Sequence, residues 1–238
     1  MSAFNDLGQP IGHPVPGWTR ALPVAREAMA GAYCRLEPLN VDAHARALWD
    51  ANARDTEHRN WTYLFHGPYA SFDDYAAWVR SAAATTDPLF FAVIDRWDRA
   101  TGVAAYLRIA ADAGSIEVGH INFSPLLQRT TAATEAMYLM MKRVFALGYR
   151  RYEWKCDALN AGSRAAAVRL GFTFEGVFRQ ALVYKGRNRD TAWYSVIDTE
   201  WPSIRDAFER WLSPENFDPA GAQRTSLDVL TAKIRRTT

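Results

Sequence analysis

Cysteine is scarce in this sequence: of 238 residues only Cys34 and Cys156 are cysteines, each set in an apolar or aromatic stretch. With no CxxC pair and no histidine cluster at metal spacing, a structural zinc site is not expected and no metal is assigned. An excess of charge of one sign is also lacking. The formal net charge is +2, and the arginines that carry most of the positive charge spread from Arg20 to Arg236, so nucleic acid is not the expected partner. Those set among alanines, from Arg164 to Arg169, read first as a solvated helix face. No apolar run approaches membrane-spanning length, and the opening residues carry neither a basic nor an apolar segment of signal type. A cytoplasmic protein without membrane contact is expected. Internal repeats and low-complexity tracts are absent as well.

What is present is enough apolar surface for one sizeable core, with 49% apolar and 23% charged side chains. The Pro/Gly-rich start, to about Pro23, reads as an extended arm free to wrap a second copy, which leaves a homodimer open. Residues 1–31 form that arm in this reading, 32–213 the main domain and 214–238 a C-terminal extension. A strand is predicted from Ala32 to Leu39, then helices from Val41 to Ala53 and after Ser71, whose hydroxyl can cap the second. Trp61 to Phe65 makes an aromatic connection between them. Leu89 to Asp95, Gly102 to Ile109 and Ile116 to Phe123 form an antiparallel meander. A long helix from about Thr131 to Leu147 follows, then a strand from Tyr149 to Cys156 and a helix from Ser163 to Leu170 closed by Gly171. Phe172 to Tyr184 and Thr191 to Ile197 are two further strands joined by a polar hairpin loop, Lys185 to Asp190, before a last helix from Trp201 to Leu212. This order gives an α+β fold around one mixed sheet.

The stretch from Ile116 through Gln128 to Ala133 is a strand feeding a loop into a helix N-terminus. Such a junction presents unpaired backbone N–H groups, with the helix dipole behind them, to an anion such as a pyrophosphate. Alone, it reads equally as a helix cap without a ligand. Gln128-x-x-Thr131-x-Ala133 resembles the acetyl-CoA loop of the GNAT superfamily, Gln/Arg-x-x-Gly-x-Gly/Ala, with Thr131 departing from the pattern. Threonine disfavours positive φ, so either the loop keeps ordinary helical or extended conformations or it holds phosphate less closely. Asn160-x-x-Ser163 followed by Leu170-Gly171-Phe172 matches the superfamily's second signature at the expected distance. Glu117-Val118-Gly119 and the aromatic C-terminal hairpin look like its ribosomal-protein N-terminal acetyltransferase branch. The resemblance runs from roughly Ala32 to Ile197.

The resemblance implies a GNAT-like, mostly antiparallel sheet flanked by helices, and an N-acetyltransferase using acetyl-CoA as cosubstrate. The acceptor would be a small-molecule amine or a protein N-terminus, attacking the thioester directly. The cosubstrate would lie on Gln128, Arg129, Thr130, Thr131, Ala132 and Ala133, with Asn160 and Ser163 beside its pantetheine arm and a backbone N–H near Asn122 or Phe123 polarising the thioester. Glu117 is the first candidate for taking the ammonium proton, and His120, three residues on and hence on the opposite face, the second. Many relatives use a tyrosine seven residues after the asparagine; Ala167 stands there, which passes the thiolate's proton to Ser163 or solvent. Trp61, Tyr63 and Phe65 are the candidate acceptor-binding residues, with Trp49 and His66 beside them. The alternatives are a catalytically silent CoA- or ligand-binding module of the same fold and, resting on Lys185 to Arg189 and on Arg235-Arg236, a nucleic-acid adaptor.

Overall fold

The computed structural model describes residues 3–235, so Arg236 lies outside the described residues. Two short strands, β1 (Ala3–Phe4) and β2 (Pro10–Ile11), pair as a hairpin at the start of the arm. The arm then lies on the body, with Ala21 N–H donating to Ala111 and Leu22 N–H to Leu147. β3 (Met29–Ala30) and β4 (Cys34–Pro38) open the main sheet, so part of the arm already belongs to it. α1 (Val41–Asn52) is capped by the Asn40 carboxamide on Ala43 N–H, and α2 (Phe72–Ala84) by Ser71 on Asp74 N–H. Between them a 3-10 turn, Arg59–Trp61, begins the aromatic connection.

β5 (Leu89–Asp95), β6 (Ala100–Ala110) and β7 (Ser115–Phe123) form the meander, and all seven residues of β5 are buried because both faces of the sheet are covered there. α3 (Thr131–Ala146), β8 (Arg151–Asp157), α4 (Ala161–Arg169), β9 (Thr173–Tyr184), β10 (Arg187–Ile197), α5 (Trp201–Leu212) and α6 (Leu227–Arg235) complete the chain. The sheet order is β3-β4-β5-β6-β7-β8-β10-β9. Only β7 and β8 run parallel, which bears out the mixed, mostly antiparallel α+β expectation.

One core packs α3 to α6 on the sheet face that carries Phe91, Tyr106, Ile116, Tyr152 and Trp154; α5 joins it through Ile204, Ala207, Phe208 and Trp211 at helical spacing. A second core packs α1 and α2 on the opposite face, against Phe90, Ala92, Val103 and Ala105. The short helix α6 was not expected, and it seals the first core with Leu227. The six-residue polar loop read between the last two strands is instead a two-residue turn, Lys185-Gly186, with φ 48° and 69°. Positive φ at both positions is the geometry of a tight hairpin, and Asn188, Arg189 and Asp190 therefore belong to β10. Among the described residues no helix is long and apolar enough to cross a membrane.

Candidate active site

β7 and β8 pair from Ser115↔Arg151 to Val118↔Trp154 and then part, while each keeps its outer neighbour, β6 or β10. The parting follows a bulge in β7: Val103 faces Asn122 and Ala105 faces Gly119, leaving one extra residue on β7, and His120 takes φ 48°. The extra residue reverses the alternation of side chains. His120 therefore turns to the α1/α2 face, its ring 5.1 Å from Phe90, and shares that face with Glu117. The expectation that the two lie on opposite faces assumed an unbroken strand. A cavity of about 1170 Å³ opens at this slot, above the usual range of small-molecule sites of roughly 300–1,000 Å³.

One end of the cavity is the start of α3. Thr130 caps the helix through its hydroxyl on Ala133 N–H, and the N–H groups of Arg129, Thr131 and Ala132 have no acceptor among the described residues. The left-handed position is Arg129, with φ 61°, rather than Thr131, which is helical; of the two alternatives for Thr131, ordinary conformation is the one found. Gln128 turns its side chain back to donate to Asn60 Oδ1 and to the Phe123 carbonyl. Across the slot Asn160 caps α4 on Ser163 N–H, and the Ser163 hydroxyl accepts from Trp154 Nε1 at 3.0 Å. Ala167 is fully buried in the core.

The other end holds an ion-pair cluster. Glu117 is 3% exposed, and its Oε2 accepts from Arg108 at 2.6 Å and from Lys155 at 3.0 Å. A second bulge, at Arg108 with φ 49°, swings that arginine onto the carboxylate. Lys155 also pairs with Glu153 at 2.7 Å and lies 3.8 Å over the Trp193 ring. Glu117 Oε1 has no partner among the described residues. Burial pushes the Glu117 carboxyl above the usual carboxylate range, against the pull of Lys155 and Arg108. Burial, aided by Arg108, holds His120 below the ordinary histidine value, which leaves it neutral at pH 7. Neither Arg108 nor Lys155 was singled out from sequence; Lys155 sits mid-strand as a charge among buried residues, whereas nothing signals the bulge at Arg108.

Tyr63 and Phe65 line the cavity mouth, with the Tyr63 hydroxyl donating to the Leu159 carbonyl across it. Trp61 does not line it. It is 5% exposed and packed edge-on against Tyr69 and Tyr75, so its bulk serves the second core, as does Trp49 against Tyr75. His66 is stacked on Trp78 and is also set back from the opening. The Asn122 side chain is buried behind the cavity wall, and Phe123 lines it. The β9–β10 turn is pinned to the mouth by Lys185 Nζ, which donates to the Trp61 and Gly67 carbonyls. Arg189, expected within the polar hairpin loop from Lys185 to Asp190, projects instead from β10 into the cavity lining.

The family model of the acetyltransferase (GNAT) domain matches residues 34–173. A GCN5-related N-acetyltransferase from Brucella melitensis is 46% identical, over 92% of this chain and 100% of that one, with a TM-score of 0.89. A probable acetyltransferase of the GNAT family from Chromobacterium violaceum is 42% identical, over 81% of this chain and 97% of that one, with a TM-score of 0.76. The Salmonella typhimurium acetyl transferase that modifies the N-terminal serine of ribosomal protein L7/L12 shares the fold at 20% identity, over 72% of this chain and 99% of that one, with a TM-score of 0.62. No curated protein sequence matches the chain. The bulged and parted strands, the free amides at the start of α3 and these relatives agree: the chain belongs to the GNAT acetyltransferases.

Proposed function

We propose that this protein moves an acetyl group from acetyl-CoA to a primary amine by direct attack in a ternary complex. The observation that carries the reading is the continuity of one cavity, from the free N–H groups at the start of α3, through the slot between β7 and β8, to Glu117 and His120 on the far face. Acetyl-CoA fits the first part: unpaired amides and a helix N-terminus suit its pyrophosphate, and the open edges of the parted strands suit the amides of its pantetheine arm. Bound there, it supplies the acetyl thioester.

The chain's own groups then have separate tasks. A lysine-type amine, with a reference pKa of about 10.4, arrives protonated and must lose that proton before it attacks. Glu117 Oε1 is free to take it while Oε2 stays fixed by Arg108 and Lys155, and neutral His120 is the second acceptor on the same face. As the nitrogen–carbon bond forms and the carbon–sulfur bond breaks, the Ser163 hydroxyl, oriented by Trp154, can give its proton to the departing thiolate and regain one, through water, from the nitrogen as it becomes the amide. A backbone N–H at the end of β7 would polarise the thioester oxygen.

The test is thiol release from acetyl-CoA across a panel of amines. Glu117→Gln should keep CoA affinity but lower turnover by roughly 10²–10⁴ fold, with the deficit shrinking as pH approaches the acceptor's own pKa. A deficit unchanged across that range would make Glu117 a positioning residue, and full activity would move the role to His120. A second reading, a CoA-binding module without turnover, is favoured by Ala167, buried where many relatives place a tyrosine. Binding of CoA with no transfer to any amine would select it.

A further inference from the structure

Arg189 is 7% exposed, yet it forms no ion pair with any described carboxylate. Its Nε donates to the Thr191 hydroxyl at 3.2 Å, and its guanidinium lies 5.2 Å from the Phe65 ring and 5.8 Å from the Tyr184 ring. The two terminal nitrogens have no hydrogen-bond partner among the described residues, and the side chain lines the cavity. The side chain is packed in place while its terminal nitrogens stay open to the cavity, which is the setting in which a guanidinium can receive an anion. The nearby acid, Asp157, is turned to other donors, one oxygen accepting from the Tyr184 hydroxyl and the other from Leu159 N–H. The other cations of the mouth do not compete. Lys185 is bound to backbone carbonyls, and Lys155 and Arg108 are neutralised by Glu117 and Glu153.

We propose that Arg189 is the seat of a carboxylate carried by the acceptor, so that the substrate is an amine bearing an acidic group close by. This rests on the acetyltransferase reading above and names the substrate class of that site. A carboxylate is favoured over a phosphoryl group because one unneutralised guanidinium offers a single charge, and because its two free nitrogens match the two oxygens of a carboxylate. The spacing sets how near the acid must be. The Phe65 ring neighbours both, 5.2 Å from the Arg189 guanidinium and 6.3 Å from the His120 imidazole, so amine and carboxylate fall within the reach of one small acceptor. Either the α-carboxylate of a free amino acid or an acidic side chain in the first residues of a peptide meets that spacing.

Binding is measured in the full chain, with and without CoA, by tryptophan fluorescence and calorimetry. The probes are amino acids beside their carboxamides, and the tripeptide amides Ser-Asp-Ala beside Ser-Asn-Ala. At least one carboxylate probe should bind about tenfold or more tightly than its neutral partner, since a site built around a charged donor rejects a ligand that leaves it unpaired. Arg189→Gln should reduce that ratio below about threefold, and Arg189→Lys, which keeps the charge without the fork, should fall between. Preference among the amino acids assigns the α-carboxylate; preference among the tripeptides alone assigns the acidic side chain. Equal binding of charged and neutral partners in the unaltered protein, binding of none, or a preference surviving in Arg189→Gln overturns the proposal. The unaltered-protein comparison stands even where a variant folds poorly. Thiol release from acetyl-CoA with the same probes separates the two readings: a carboxylate preference without acetyl transfer ends the transferase reading and leaves Arg189 assigned, whereas transfer without preference ends the Arg189 assignment alone.

Discussion

His66 is stacked on Trp78 with ring centroids 4.3 Å apart, and its Nδ1 meets the Tyr69 hydroxyl at 3.1 Å while its Nε2 is buried without a partner. Burial, with the charge of Lys185 and the nearby His120, lowers its pKa from 6.5 to about 3. An unfolded chain therefore takes up a proton at this residue between those two values and the folded chain does not. Stability from this group is full above the ordinary value and falls as pH drops toward about 3. From about pH 7.5 to about pH 5 the loss should be about 1–2 kcal/mol, read from denaturant unfolding. Glu117, with a raised pKa, contributes in the opposite sense, so the readout is a difference between proteins. His66→Asn should be less stable at neutral pH and should lack this part of the slope; an unchanged slope would show that the imidazole is protonated in the folded protein.

Among the elements, α3 joins cofactor chemistry to scaffold. Its first turn leaves amides free for an anion, while Glu135, buried in the next turn, accepts from the N–H groups of Ala32, Tyr33 and Cys34 and fixes the start of β4. Arg129→Glu puts a negative charge beside the free amides without touching the core. CoA affinity measured by calorimetry should fall about tenfold at low salt and by less at high salt. Equal affinity in the two proteins would move the phosphates elsewhere. The helices were legible because their signals are local: Ser71 followed by Asp73 and Asp74, the apolar spacing of α5, and Gly171 at the end of α4, where φ is 93°. The bulges at Arg108 and His120 were not legible. Both residues adopt positive φ that neither side chain favours, so their geometry is imposed by the pairing of β6 with β7 and with β5 rather than by nearby sequence. The same limit hid the strand setting of Arg189, because only the two-residue turn carries it out of the expected loop and into β10.

At the scale of the whole molecule, one mixed sheet followed from the order of predicted strands and helices, and its mostly antiparallel, helix-flanked form from a family resemblance carried by two short signatures. What remained hidden was the assembly of the acceptor end, where Arg108 from β6, Glu117 from β7, Lys155 from β8 and Arg189 from β10 meet only through the completed sheet. The parting of β7 from β8 has a further consequence that solvent can report. Backbone amides past Val118 and Trp154 that turn toward the slot lack a strand partner, so in the protein alone they should exchange with deuterium faster than the paired amides from Ser115 to Val118. Added CoA should slow that exchange at the slot and at the start of α3 and leave α5 unchanged. Protection confined to other segments would mean that the wedge in the sheet is not where the cosubstrate enters.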